Sequence, residues 1–209
     1  MKEMIKKYRG LFVLCVIYAV VCYFTHKVTG RYLFLVWNLF LAILPLLFSL
    51  LAEKTRKKNL VIIFSILWLL FYPNAPYFVT DFIHITRKNF FIDGNYYDLE
   101  QWLILITVSL GFLISLFSGF VSLDKIKAKL FKNKKGLEIL FIIITSLLSG
   151  YAIYIGRFLR FNSWDILRPI SLMKSLLQDL DKFAMEYSLL IGIFIVVSYY
   201  IYKVFKELD

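Results

Sequence analysis

An apolar run at residues 60–81 limits the possible folds more than any other part of the sequence, because two prolines interrupt it early. A helix over residues 60–72 rises only about 20 Å, whereas the hydrocarbon core of a bilayer is about 30 Å thick. Pro73 and Pro76 lack amide donors and therefore leave backbone carbonyls unpaired. Unpaired backbone groups at membrane depth are tolerated only where protein or a wet cavity surrounds them. The run predicts a broken helix with a site beside the break.

The composition and the spacing of the apolar residues predict a membrane protein. The 209 residues are 60% hydrophobic and 19% aromatic, with a mean hydropathy of +0.73, and the apolar residues form long blocks. Most blocks approach the length of about 20 residues that a spanning helix needs. No small-x-small cleavage motif follows the short first block, so we expect a retained helix rather than a signal peptide.

The predicted fold is one domain over residues 1–209, an all-α integral membrane protein built as a six-helix transmembrane bundle. The predicted spans are at about residues 11–24, 33–52, 60–79, 102–121, 137–155 and 184–205. The third span is broken at Pro73 and Pro76. Beyond Pro169, apolar residues recur at helical spacing, which predicts an amphipathic outer surface helix at about residues 170–183. This helix would serve as a lid or only cover the bundle.

The basic residues predict the orientation. They are concentrated at residues 2–9, 54–58 and 125–135, on one side of the predicted bundle. Cytoplasmic loops carry such an excess of lysine and arginine, so we expect both termini to be cytoplasmic. Topology thus explains the net charge of +11, and no nucleic-acid partner is predicted. We expect the loop at residues 124–136 to be a basic linker without catalytic residues.

Polar side chains and helix-breaking residues collect at the opposite, outer end of the predicted bundle. Asn38 lies near the outer end of the second span, and Asp81 and His84 follow the break in the third. Asp81 and His84 are three residues apart, so they share a face if the helix resumes. The residues predicted to form an outer site are Asn38, Asn74, Tyr77, Asp81, His84, Arg157, Arg160, Asn162, Trp164 and Asp165.

Asp81 and His84 are the candidate catalytic pair, because ionisable residues at membrane depth are functional candidates and histidine titrates near neutral pH. Arg157 and Arg160 are candidates to bind a phosphate or a carboxylate. Structural alternatives stand beside these roles: Asp81 as the ion-pair partner of either arginine, His84 as a solvated loop residue, and Trp164 as an interfacial anchor. Two histidines and two cysteines without a CxxC spacing match no known metal-binding motif, so no metal ligands are predicted, and the sequence leaves open whether a metal joins Asp81 and His84.

Three segments carry a resemblance to a known family. WNLFLAILPL at residues 37–46, FYPNAPYFVTD at 71–81 and IGRFLRFNSWD at 155–165 resemble the hallmark segments of a bacterial family of multi-spanning membrane proteins, catalogued as domain of unknown function 1361. The segments keep the family's order, and His84 falls where the family has a histidine soon after its TD. The resemblance implies a bacterial plasma-membrane protein. It implies no activity and supplies no catalytic residues.

Several intramembrane chemistries do not fit the residues. A rhomboid-like protease requires a GxSG serine, and the Ser-Gly pairs at residues 118–119 and 149–150 lack the preceding glycine. The metalloprotease HExxH motif and the ATPase Walker motif are absent from the sequence. A lipid phosphatase of the vanadium-haloperoxidase kind needs two histidines, and only His84 lies in a suitable place.

Three classes of function remain open. The first is an outward-facing polar site that binds or modifies an anionic amphiphile or envelope precursor, with acyl or phosphoryl transfer as the candidate reactions. The second is a non-enzymatic carrier or transport subunit, because broken helices also build transporter sites. The third is a scaffold partner of another envelope protein. Membrane lipids are expected partners in every class, and the residues identify no cofactor.

Overall fold

The computed structural model describes residues 2–85, 99–132, 134–160 and 181–208, with side chains from residue 9 onward. Every regular element in these ranges is helical. In chain order the elements are α1 (Lys2–Thr29), α2 (Phe34–Lys54), α3 (Lys58–Phe71), α4 (Asn74–Tyr77), a 3₁₀ segment (Phe78–His84), α5 (Leu99–Phe131), α6 (Lys135–Tyr154), a π segment (Ile155–Leu159) and α7 (Lys182–Lys206). Six stretches of these elements are long and apolar enough to cross a membrane, so the predicted six-helix bundle is confirmed.

The central helix is α5, because its buried side chains belong to two separate apolar clusters. Val108 lies in one cluster with Tyr18 of α1 and Leu35 of α2. Further along α5, Phe120 lies in the second cluster with Trp68 of α3, and residues of α6 and α7 complete it. Helices in a membrane are held by such close packing rather than by exclusion of water. Both parts of the core of the bundle therefore lie along α5.

The third span, Lys58–His84, changes helix type where the prolines interrupt it. Helix α3 ends at Phe71, and the Ala75 amide donates to the Tyr72 carbonyl at 3.0 Å in a tightened turn. The Asn74 side chain donates to the Phe71 carbonyl at 2.9 Å, which satisfies an acceptor at the helix end. The predicted break is confirmed, and the side chain of Asn74 is part of it.

Two glycines of α5 let the chain beyond the break lie directly against this helix. A Cβ atom on Gly119 would lie 2.6 Å from the Cβ of Ala75 in α4. A Cβ atom on Gly111 would overlap the Tyr18 hydroxyl and the Phe78 ring. Small residues permit this close approach of backbones inside a membrane protein. The approach fixes where the 3₁₀ segment, and with it Asp81, lies in the bundle.

Helix α5 continues well past its predicted end and stops at Phe131, so the prediction of a linker at residues 124–136 is wrong for most of its length. Lys125 Nζ lies 2.6 Å from Glu53 Oε2. Lys129 Nζ donates to the Glu53 carbonyl at 3.1 Å. These lysines neutralise the carboxylate and satisfy a carbonyl in the last turn of α2. Lys125 and Lys129 therefore hold α5 against α2, whereas the sequence, read from their charge alone, predicted that they lie in a solvated loop.

A polar network around Asp124 ties three helices together. Tyr199 Oη of α7 donates to Asp124 Oδ1 at 2.5 Å, and Lys206 Nζ donates to Oδ2 at 2.6 Å. Lys127 Nζ lies 3.8 Å from Asp124 Oδ1 and 3.1 Å from Glu138 Oε2 of α6. A carboxylate shared by several donors is well compensated despite partial burial. This network closes one end of the bundle.

The two ends of the bundle are named by their central carboxylates. The Asp124 end is where α2, α5 and α7 finish and where α6 begins. Arg9 of α1 and Lys54 of α2 line one crevice there, so α1 starts at the same end. The Asp81 end is the opposite one, where α2 begins and the π segment follows α6.

Replacing Tyr199 with phenylalanine is expected to lower the free energy of unfolding by about 1–2 kcal/mol, because the change removes a hydrogen bond to a charged carboxylate. Tyr199 is only 4% exposed, whereas the neighbouring Tyr200 is 69% exposed. Tyr200→Phe is therefore the matched control and is expected to change nothing. Denaturant unfolding of both variants in the same detergent checks this, and equal midpoints would contradict a structural role for the network.

Candidate functional site

Asp81 is only 1% exposed, although it lies near the end of a span. Asn38 Nδ2 of α2 donates to Asp81 Oδ2 at 2.9 Å. Arg157 Nη1 of the π segment lies 3.5 Å from Asp81 Oδ1. A buried ion is costly unless a partner and hydrogen bonds compensate it. Helix α2, the 3₁₀ segment and the π segment therefore meet at the Asp81 carboxylate. Asn38 and Arg157 supply the hydrogen bond and the positive charge that compensate its burial.

Arg157 is anchored by more than its ion pair. Its Nη2 donates to the Thr80 carbonyl at 2.5 Å, and its Nη1 donates to Tyr77 Oη at 3.3 Å. The guanidinium carbon also lies 5.7 Å from the centre of the Tyr77 ring. Such a planar, multidentate arrangement suits arginine and would not suit lysine. The ion pair between Asp81 and Arg157, which the sequence left open as a structural alternative, is present.

His84 is the more exposed neighbour of Asp81. Its Nε2 lies 3.8 Å from Asp81 Oδ1, and its side chain is 38% exposed. The ring of Phe34 lies edge-on to the imidazole, with 5.2 Å between centroids. The separation from Asp81 exceeds a hydrogen bond, but such contacts often tighten only when a substrate is bound. The pair thus connects a buried carboxylate to an imidazole at the surface of the site.

His84 lines a cavity of about 470 Å³ at the Asp81 end. The cavity lies between the loop that joins α1 to α2 and the end of the 3₁₀ segment. Its other nitrogen-bearing side chains are His26, in the last turn of α1, and Arg31, and Tyr32 also lines it. Leu33 and Phe34 supply apolar walls. A wall of this mixed character accommodates a polar group beside an apolar one.

The sequence analysis missed His26 and Arg31 as site residues. The first span was predicted to end at residue 24, whereas α1 continues to Thr29 and carries His26 to the cavity. Only His84 was expected in a suitable place for two-histidine chemistry, but the structure brings the second histidine to the same cavity. The available signal was that the chain has only two histidines and that His26 follows the first predicted span closely, as His84 follows the third.

The other predicted site residues are placed less centrally or not described. Asn74 donates to the backbone at the break. Arg160 is exposed and ends the π segment in a left-handed conformation, with φ of 58°. Asn162, Trp164 and Asp165 lie outside the described residues, as does most of the amphipathic helix predicted at 170–183. Lys182 and Phe183, at the end of that range, belong instead to the first turn of α7.

The described residues contain no group of three or more histidine, cysteine, aspartate or glutamate side chains arranged to hold a metal ion. A carboxylate beside an imidazole can orient the ring and stabilise its protonated form, which is the arrangement used in acid/base catalysis.

Comparison with known proteins identifies a family. The family model described as "Protein of unknown function (DUF1361)" matches residues 37–198, which is more than half of the chain. This range includes Asn38, Asp81, His84 and Arg157. Neither a curated protein nor a solved structure matches the chain.

Proposed function

Because the chain belongs to the DUF1361 family of proteins of unknown function, we propose its function from the site: the Asp81 end binds an anionic amphiphile at a membrane surface, and Asp81 and His84 act on it as an acid/base pair. The candidate reactions are acyl or phosphoryl transfer, in which a hydroxyl group or water attacks the carbonyl carbon or the phosphorus and the bond to the leaving oxygen breaks. The proton lost by the attacking oxygen is taken up by His84 and given to the leaving oxygen. His84 is the general acid/base in this proposal, and Asp81 is the positioning residue behind it.

The observation that carries the proposal is the position of His84 between a buried carboxylate and an open cavity. Asp81 Oδ1 lies 3.8 Å from His84 Nε2, and the imidazole lines the cavity wall. An ion pair with a purely structural role needs only Arg157 and Asn38. The added imidazole, partly exposed beside this pair, is what acid/base chemistry requires.

An amphiphile is favoured over a water-soluble substrate because the cavity is continuous with apolar surface. Leu33 and Phe34 line the cavity and are both well exposed, and Ile83 next to His84 is exposed as well. Exposed apolar side chains on a spanning bundle face lipid. A molecule with an acyl chain would lie along these residues while its polar group enters the cavity.

The orientation of the protein is part of the proposal. The Asp124 end carries the lysine-rich segments, and such segments favour the cytoplasmic side. We therefore place the Asp81 end on the outer face of a bacterial plasma membrane, where the substrate would be an envelope lipid or precursor.

A carrier is the second candidate, and the broken third span favours it. Transporters form midplane sites from discontinuous helices beside ionisable residues. Here α3 ends at Phe71, and Asp81 follows two changes of helix type. A carrier would move a lipid species without changing its mass, and its activity would follow an imposed proton gradient.

Replacing His84 with glutamine is expected to slow conversion of the substrate by about 100-fold or more, because glutamine keeps a polar side chain but cannot transfer a proton. Lipids extracted from cells that lack the protein would be incubated with purified protein in vesicles, and all species would be followed by mass spectrometry. Lys27→Gln, at an exposed position that does not line the cavity, is the control and should retain the native rate. Conversion by His84→Gln at the native rate would contradict the acid/base role, and no conversion by the native protein would favour the carrier.

A further inference from the structure

Both histidines of the chain line one cavity together with an arginine, although they are 58 positions apart in the sequence. We propose that this cavity binds the phosphate group of an amphiphile, with His26, Arg31 and His84 as its hydrogen-bond donors. This inference rests on the proposed function and specifies its substrate class. The three donors come from the end of α1, the following loop and the 3₁₀ segment, so folding alone brings them together.

The loop between α1 and α2 is held in an unusual conformation that places Arg31 on the cavity. Gly30 has φ of 68°, and its amide donates to the His26 carbonyl at 2.7 Å, so α1 ends at Thr29, just before this glycine. Tyr32 has φ of 78°, a left-handed conformation that side chains larger than glycine rarely adopt. The Tyr32 side chain is buried in the core, which holds the strained residue in place. Strain of this kind often accompanies binding sites.

The Thr29 side chain adds a second constraint on the loop. Its Oγ1 donates to the Thr25 carbonyl at 2.7 Å and accepts from the Arg31 amide at 3.1 Å. Thr25 is itself tied to Thr107 of α5, with 2.8 Å between the two hydroxyl oxygens. The backbone on which Arg31 lies is thus linked to the central helix. A donor with a fixed backbone loses less freedom when it binds a ligand.

His26 contributes to the cavity with only part of its ring. Its Nδ1 is buried and has no hydrogen-bond partner among the described residues. A neutral imidazole carries its proton on one ring nitrogen, and a buried Nδ1 without a partner fits a proton on Nε2. The Nε2 N–H is then the group that would donate to a phosphate oxygen in the cavity. The same oxygen set would accept from the guanidinium of Arg31.

The charge of the cavity also fits an anion. Its described lining contains two imidazoles and one guanidinium and no carboxylate. Asp81 lies behind His84 and is paired with Arg157 and Asn38, so its charge is compensated away from the cavity. Three donors on different elements suit a tetrahedral phosphate better than a planar carboxylate with two oxygens. Leu33 and Phe34 then provide apolar surface for the rest of the amphiphile.

The test is equilibrium binding to the purified full chain in a non-ionic detergent, with four probes. Phosphatidic acid carries a phosphate monoester, diacylglycerol has the same tails without phosphate, a fatty acid carries a carboxylate, and inorganic phosphate has no tail. We expect saturable binding of phosphatidic acid, and at least about tenfold weaker binding by His26→Gln and by Arg31→Gln. Weak competition by inorganic phosphate would show that the tail contributes; equally tight binding of inorganic phosphate would identify free phosphate as the ligand.

Lys27→Gln is the matched control, because Lys27 adjoins His26, is exposed and does not line the cavity. It removes one positive charge and should leave binding unchanged. Arg31 is exposed, so Arg31→Gln is expected to fold normally and remains informative if His26→Gln does not fold. Native affinity in Arg31→Gln, or equal binding of diacylglycerol and phosphatidic acid, would overturn the proposal.

The same variants separate this inference from the acid/base proposal. If His26→Gln and Arg31→Gln bind phosphatidic acid normally while His84→Gln stops conversion, the catalytic pair stands and the phosphate site is wrong. If the cavity variants lose binding while His84→Gln converts substrate at the native rate, the phosphate site stands and the acid/base role is wrong.

Discussion

Replacing Asp81 with asparagine is expected to abolish the function of the protein in cells while lowering its free energy of unfolding by only about 2 kcal/mol. The functional loss follows because an amide cannot stabilise a protonated His84 as a carboxylate does. The stability loss follows because Arg157 loses its counter-charge. It stays moderate because Arg157 is 17% exposed and keeps its bonds to Thr80 and Tyr77.

The double variant Asp81→Asn/Arg157→Gln separates the two effects. With both charges removed, the stability is expected to return most of the way toward the native value, since no uncompensated charge remains. Function is expected to stay absent. Unfolding midpoints of the two single variants and the double variant, combined with complementation of cells that lack the protein, check this. Recovery of function in the double variant would mean that Asp81 serves only as the partner of Arg157.

Replacing Gly150 with alanine is expected to lower the free energy of unfolding by about 1–3 kcal/mol. A Cβ atom on Gly150 of α6 would overlap the backbone carbonyl of Ser188 in α7 and lie 3.1 Å from the Gly192 amide nitrogen. A backbone contact cannot relax by changing a rotamer, so the two helices must move apart. Because the π segment follows α6, this movement would also displace Arg157 from Asp81.

Gly136→Ala is the control for this prediction, because it makes the same change on the same helix. A Cβ atom on Gly136 would meet nothing within 4 Å, so alanine there should leave stability unchanged or raise it by up to about 1 kcal/mol. Thermal unfolding of both variants in one detergent measures the difference. Equal stability of the two variants would contradict the close packing of α6 against α7.

The broken third span could be predicted because its signal is local. The distance from the start of the run to Pro73 and the bilayer thickness suffice to place the break, and the structure ends α3 at Phe71. The end of α5 could not be predicted in the same way. Hydropathy falls at Asp124, but contacts of Lys125 and Lys129 with α2 stabilise the helix to Phe131. Those contacts depend on how the helices pack.

The sequence could predict which residues of the candidate site lie at one end of the bundle. It could not predict which of their side chains contact one another. Counting spans places Asn38, Asp81 and Arg157 at the same end, because α2 begins where α6 finishes. That Arg157 reaches Asp81, Thr80 and Tyr77 at once depends on the π segment, for which the sequence has no evident signal. His26 was missed because α1 continues past the apolar block to Thr29, and this extension brings His26 to the cavity. The hydropathy pattern, which ends at residue 24, does not indicate the extension.

That the site acts on an amphiphile is tested most directly by mass spectrometry of membrane lipids and envelope precursors. Three strains would be compared: cells that lack the protein, the same cells complemented with the native form, and the same cells complemented with Asp81→Asn at matched expression. We predict that a phosphate-bearing amphiphile accumulates in the deletion and with Asp81→Asn, and that it returns to its normal level with the native protein. Identical lipid profiles in all three strains, under conditions where the cells depend on the protein, would contradict an amphiphile site at the Asp81 end.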